Sequence, residues 1–162
     1  MRRAVRVIAA GEWPENAAVG QVSLVFDDRH RRRLRLLDDA GRPFLLDLDV
    51  PARLRDGDGL ALEDGGYIRV CAAAEAVADV APGDAAAAAR LAWHIGNRHA
   101  ALQVLPDGAL RIRDDPVLVG MLEGLGAVVV RHHAPFAPEP GAYEAHPAGH
   151  ARRTLPVDDT HR

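Results

Sequence analysis

The sequence predicts a two-domain chain. An N-terminal all-β small barrel or sandwich occupies residues 1–75, an α+β domain occupies 76–143, and a flexible tail occupies 144–162. Three observations predict it. Glycine- and aspartate-rich turn signals divide the first part into short strands: Asp38 to Gly41, Asp56-Gly57-Asp58-Gly59 and Asp64-Gly65-Gly66. Two helical runs then alternate with short apolar stretches in the order β-α-β-β-α-β. Beyond Ala134 the chain turns rich in proline and, past Tyr143, poor in apolar residues.

In the first part, Val5, Val7 and Ile8 open a strand, and Val22, Leu24 and Phe26 alternate with smaller or polar residues at period two. Asp27-Asp28 starts a turn, and Arg31 to Leu36 runs on as a strand toward Asp38. Phe44 to Leu48 reads as a strand closed by Pro51, and Leu60-Ala61-Leu62 and Tyr67 to Val70 complete the set. The basic run Arg29 to Arg35 has two readings. It can recognise an acidic partner, or it is a solvated strand face whose long stems cover apolar neighbours, which is the ordinary meaning of such a run.

In the second part, Asp84 caps a helix from Ala85 to about Ile95. Gly96-Asn97 is the stop signal, since both residues tolerate the left-handed conformation that ends helices. Leu102 to Leu105 and Ala109 to Ile112 read as strands around the tight turn Pro106-Asp107-Gly108. Asp115-Pro116 starts a second helix with an apolar stripe at Val117, Leu118, Met121, Leu122 and Leu125, ended by Gly126. Ala127 to Val130 is a last strand, expected to be buried on both faces. With a strand before the first helix, this order is the ferredoxin-like split βαβ arrangement.

Composition excludes several function classes. The chain has 162 residues, is 48% hydrophobic and carries a net charge of −3, which argues against binding nucleic acid through phosphate neutralisation. The single cysteine, Cys71, rules out an internal disulfide and a cysteine-rich zinc site. No run has the length of a membrane span and the N-terminus lacks a signal-peptide core, so a cytoplasmic protein with no membrane partner is expected. No nucleophile motif or phosphate-binding glycine loop stands out. Asp114-Asp115 beside Arg111 and Arg113 is a weak acid–base candidate because Asp115 already caps a helix. An enzyme is not expected.

Histidine is the residue type that points to chemistry. Five of the eight histidines lie between positions 99 and 150: His99, His132, His133, His146 and His150. Neutral imidazole is a good ligand for nickel, copper and zinc. His99 falls at a helix-to-strand corner, whereas His94, five residues earlier, projects roughly 140° away around an ideal helix. One chain therefore presents one well-placed imidazole. A two-fold dimer meeting at His99 would supply a second, and histidines of the tail would complete a site suited to passing a metal on.

His94-Ile95-Gly96-Asn97-Arg98-His99 followed by Leu102-Gln103 resembles the signature of UreE, the family of urease accessory proteins. The likeness extends to Leu24-Val25-Phe26-Asp27-Asp28-Arg29, to Leu54-Arg55-Asp56-Gly57-Asp58, and to Pro135-Phe136-Ala137-Pro138-Glu139-Pro140-Gly141-Ala142-Tyr143. The resemblance implies a partner-binding β domain and a ferredoxin-like domain that forms a homodimer. It further implies Ni(II) held by His99 from both subunits with help from the tail, His146 or His150. Zn(II) or Cu(II) would also bind in vitro. The cargo would pass to the urease apoprotein complex with its accessory GTPase. Where some members carry extra histidines before the second helix, this chain has Asp114-Asp115-Pro116, so a secondary site there is absent or carboxylate-based. The alternative is a metal-independent dimeric adaptor acting through the β domain.

Overall fold

A computed structural model describes residues 1–141. His146, His150 and the tail expected over 144–162 lie outside the described residues.

The first unit comprises β1 (Arg2–Ile8), β2 (Ala18–Leu24), β3 (His30–Leu37), β4 (Pro43–Arg53), β5 (Gly59–Leu62) and β6 (Tyr67–Ala72). They form one six-stranded curled sheet in the order β2-β6-β5-β1-β4-β3. Alternation explains the core: Phe44, Leu46 and Leu48 on β4 point inward with Ala4, Leu60 and Ile68, while Asp47 points out. The gap between edge strands β2 and β3 is bridged by the turn that follows β3. There Asp39 N–H donates to Gln21 O at 2.8 Å, Ser23 N–H donates to Asp39 Oδ1 at 2.8 Å, and Arg42 Nη2 donates to Val19 O at 2.7 Å. Asp38 anchors this turn from inside. Its buried carboxylate accepts from Arg2, from the Arg42 guanidinium and from Arg42 N–H.

Two sequence expectations for this unit are corrected. Phe26 does not extend β2; it opens a 3₁₀ turn over Phe26–Arg29 and packs edge-on against Phe136 at 5.4 Å. Pro51 does not close β4. The β3–β4 register jumps from Arg31↔Ala52 to Arg33↔Asp47, so Pro51, which has no N–H, sits in an unpaired bulge within a strand that continues to Arg53.

The second unit runs β7 (Ala74–Ala81), α1 (Ala85–Asn97), β8 (Gln103–Val104), β9 (Leu110–Arg113), α2 (Pro116–Gly124), β10 (Val128–Pro135). Its sheet is antiparallel throughout, in the order β10-β7-β9-β8, which is the ferredoxin-like topology. Leu91 and Ile95 of α1 and Leu118, Val119 and Leu122 of α2 cover one face, packing on Ala78, Val80, Leu110 and Ile112. β10 departs from the sequence reading. It is an edge strand covered on one face, and on the other Val128 and Val130 remain 66% and 58% exposed.

The units touch around Phe136, which is fully buried. Arg29, only 2% exposed, donates to Phe136 O, and Phe26 N–H donates to Glu75 Oε2 at 2.7 Å. Arg113 pairs with Asp27 at 2.6 Å.

Candidate metal centre

His99 owes its position to how α1 ends. Asp84 caps the start by accepting from Ala87 N–H at 2.7 Å, and buried Leu91 and Ile95 fix the helix on the sheet. The helix passes through Gly96 and Asn97 and closes on Arg98. His99 N–H then donates to Gly96 O at 3.0 Å, and Ala100 N–H donates back to Ile95 O at 3.4 Å. This is the Schellman pattern, with Ala100 and Ile95 meeting in the core beneath it. Such an ending needs one left-handed residue. Here that residue is His99 itself, with φ 54°, the one non-glycine with positive φ among the described residues. The expectation that Gly96 or Asn97 would take this conformation is thereby corrected.

His99 is exposed at this corner, beyond the carbonyl end of α1, where the helix dipole favours a cation. A 220 Å³ hollow beside it is lined by Arg98, Ala100, Asp115, Val117 and Leu118, bringing the start of α2 next to the end of α1. Asp115 Oδ1 accepts from Val117 N–H and Leu118 N–H at 2.8 and 3.0 Å, so the carboxylate is engaged as a cap. Asp114 Oδ1 lies 3.2 Å from Arg131 Nε, close enough for ion pairing though not aligned for a hydrogen bond. The His94 ring stands edge-on to Trp93 at 4.9 Å and is half-buried.

His132 and His133 lie on β10. His132 Nε2 is 2.9 Å from Asp79 Oδ2, and Arg111 grips the same carboxylate through Nε at 2.6 Å and Nη2 at 2.8 Å. The Arg111 hydrogen bonds hold the Asp79 carboxyl below the usual carboxylate range against partial burial, which acts the other way, and His132 adds to the lowering. This cross-strand trio escaped the sequence reading. Its signal was period two on β7, where Asp79 is a polar residue between Ala78 and Val80. Among the described residues no three histidine, cysteine or carboxylate groups converge on one point. His99 is thus an isolated, outward-facing imidazole on a rigid corner.

Residues 3–73 match the family model described as the UreE urease accessory protein N-terminal domain, and residues 75–162 match the C-terminal domain. The chain belongs to the UreE family. It is 51% identical over 143 residues to the urease accessory protein UreE of Bradyrhizobium sp. (strain ORS 278), covering 88% of this chain and 67% of that one. Against the UreE of Rhodobacter capsulatus it is 48% identical over 143 residues, 88% of this chain and 87% of the other. The UreE of Bradyrhizobium sp. (strain BTAi1 / ATCC BAA-1182) is 48% identical over 152 residues, 93% and 73%. The UreE models meet between residues 73 and 75, where β6 gives way to β7. No helix among the described residues is long and apolar enough to cross a membrane.

Proposed function

We propose that this chain is a nickel-binding metallochaperone that delivers Ni(II) to apo-urease during assembly of its metallocentre. The observation that carries the reading is His99: a solvent-facing imidazole held in a left-handed conformation at the carbonyl end of α1. Its backbone is fixed by the Schellman bonds, so the ring needs little reorganisation to meet a metal. One imidazole binds a divalent ion weakly, and a second from a two-fold partner doubles the fixed donors on the axis. Exposed Val117 beside Arg98 and Ala100 provides apolar surface next to this corner for such a partner. His146 or His150 would complete the coordination. An incompletely caged ion exchanges readily, as cargo must. Zn(II) or Cu(II) would bind the same donors in vitro, because imidazole affinity does not by itself favour nickel.

In this reading the division of labour follows the chain. Residues 1–75 form the partner-binding β domain, 76–143 the metal-binding and dimerising domain, and 144–162 a histidine-bearing tail. The partners are a second copy, the urease accessory GTPase and the urease apoprotein complex, in the cytoplasm. The chain carries metal and catalyses no reaction. Asp115, as a cap, contributes to the fold; Asp114 faces Arg131, and we assign neither to the metal.

The deciding test is nickel titration calorimetry on wild type and His99→Ala, with the oligomer mass recorded alongside. One tight site per dimer that disappears in the variant is expected. Unchanged nickel binding in His99→Ala would overturn the shared-histidine site and leave the metal-independent adaptor.

A further inference from the structure

Each of the two sheets has two borders, and three of the four carry a guard. In the first unit, the outer side of β2 is bonded by Asp39 and Arg42, and β3 carries the charged run Arg31 to Arg33 with Arg35. In the second unit, the segment beyond β10 lies along β8. There Glu139 N–H donates to Leu102 O at 2.7 Å, and the Glu139 carboxylate accepts from Val104 N–H at 3.4 Å. The remaining border is β10, eight residues long. From Val128 to Ala134 its backbone bonds only to β7 among the described residues. A bare edge of this length is a template for another strand. Its upper half is also apolar: Val128 and Val130 are exposed on the open face, and Val129 packs on the helix side.

The run Ala127-Val128-Val129-Val130-Arg131 selects the partner. An antiparallel neighbour is met in reverse order, so three consecutive valines are their own complement. With a two-fold axis through Val129, Val128 of one copy lies opposite Val130 of the other, and Val129 lies opposite itself. Opposed residues share a face, so the exposed valines meet each other on the open side, and β-branched cross-strand pairs favour association. In this register Arg131 lies opposite Ala127. The two Arg131 positions are then four residues apart along the strands, about 13 Å, beyond the roughly 8 Å over which exposed charges act at physiological salt. Moving the axis to Arg131 would set these like charges face to face. Arg131 is also paired within its own chain to Asp114. The symmetry of the run singles out a second copy over an unrelated strand.

We propose that β10 is a homotypic docking surface at which two copies pair antiparallel about Val129, joining their four-stranded sheets into one. The contact is small, well below the roughly 1,200 Å² of stable specific complexes, so it operates in concentrated protein. It is separate from the His99 corner, which precedes β8 at the other border of the same sheet. A chain that meets one copy at that corner can therefore meet another at β10. Two such two-fold contacts close a tetramer if their axes cross at right angles, and build an open row otherwise. The inference stands without nickel carriage.

The test uses the full-length protein in chelator, so that its outcome is independent of metal at His99. Sedimentation from about 10 μM to about 1 mM, the range of weak association, should show the mass of the dilute species doubling. At the upper concentration, a mixture of ¹³C-labelled and unlabelled chains should give nuclear Overhauser contacts between Val128 methyls of one copy and Val130 methyls of the other, cross-strand neighbours about 5 Å apart. Val130→Lys, at an exposed position, should keep the fold and weaken the doubling at least about tenfold, because symmetry applies the change twice. Val117→Lys, beside the His99 corner, should leave the Val128–Val130 contacts in place. Loss of those contacts in Val117→Lys, their absence in wild type, or doubling indifferent to Val130→Lys would overturn the proposal. Slow exchange of the β10 amides at every concentration would also overturn it, since the edge would then be covered by its own chain.

Discussion

Replacing His99 by glycine should make the metal-free protein more stable and the nickel-loaded protein less so. His99 holds φ 54° because the Schellman ending of α1 needs a left-handed residue. For an L-residue that conformation costs about 1–2 kcal/mol, which glycine escapes. Glycine in turn gives up about 0.4–1 kcal/mol through the greater freedom of its unfolded chain. The exposed imidazole has no hydrogen bond or ring contact among the described groups to lose, so the net gain is about 0.5–1 kcal/mol. For a chain of this size, that raises the melting temperature by roughly 1–4 °C. With nickel at a hundredfold over the dissociation constant, wild type gains about 2.7 kcal/mol and the variant nothing from this site, so the order reverses. The assay is thermal unfolding by circular dichroism, first in chelator, then in nickel, with His99→Ala as the control that loses the ring but keeps the strain. His99→Gly melting below wild type in chelator would refute the strain argument. Melting curves that fail to cross in nickel would refute the link between this conformation and the metal.

Further outcomes can be checked by denaturant, pH or nickel titration. Asp79→Asn should cost about 1–3 kcal/mol through the lost charge-assisted bonds to Arg111 and His132, read from urea unfolding. Because the folded pKa of Asp79 lies below its ordinary value, its stabilisation is present above the unfolded pKa near 3.8 and fades as pH falls through the folded value; Asp38 behaves alike, while Asp58, raised by burial, contributes in the opposite sense and loses stability as pH rises. Wild type should therefore lose stability in acid more steeply than Asp79→Asn, and parallel pH profiles would contradict the assignment. Phe136→Ala should cost about 3–5 kcal/mol by emptying the junction of the units, whereas Arg113→Ala, breaking an exposed pair with Asp27, should cost under about 1 kcal/mol. Asp115→Ala should cost about 1 kcal/mol as a lost cap and leave nickel stoichiometry unchanged; a drop in stoichiometry would make that carboxylate a ligand.

Local signals carried most of the second unit. Asp84, Asp115-Pro116 and Gly126 mark helix ends through hydrogen bonds to their own neighbours, so α1 and α2 were legible within two residues of their observed bounds. The corner that carries His99 was legible; the residue bearing its left-handed twist was not. That choice depends on Ala100 meeting Ile95 below the turn, a packing contact that residue preferences at Gly96-Asn97 do not encode. Val128 and Val130 misled for a similar reason, since a valine run does not reveal whether a layer covers both sides. Phe26 and Arg29 depend on Phe136, more than a hundred positions away, and no period in the sequence connects them.

The turn over residues 38–42 has a consequence for how this chain behaves in a crowd. Val19 O, Gln21 O and Ser23 N–H are outward backbone groups of β2, and each of these three is already occupied by Arg42 or Asp39. At the opposite border of the sheet, β3 carries Arg31 and Arg33, paired with Asp28 and Asp47, together with Arg32 and Arg35, and charged side chains along an edge strand disfavour pairing with another copy. Both borders are therefore poorer templates for strand-to-strand stacking than bare edges. The basic run, which the sequence allows as a binding face or as a solvated strand face, thus has a protective use, keeping concentrated copies from polymerising edge to edge. Neutralising those arginines together with Asp39→Ala would remove both guards and turn a well-behaved solution into one that gels or precipitates on storage.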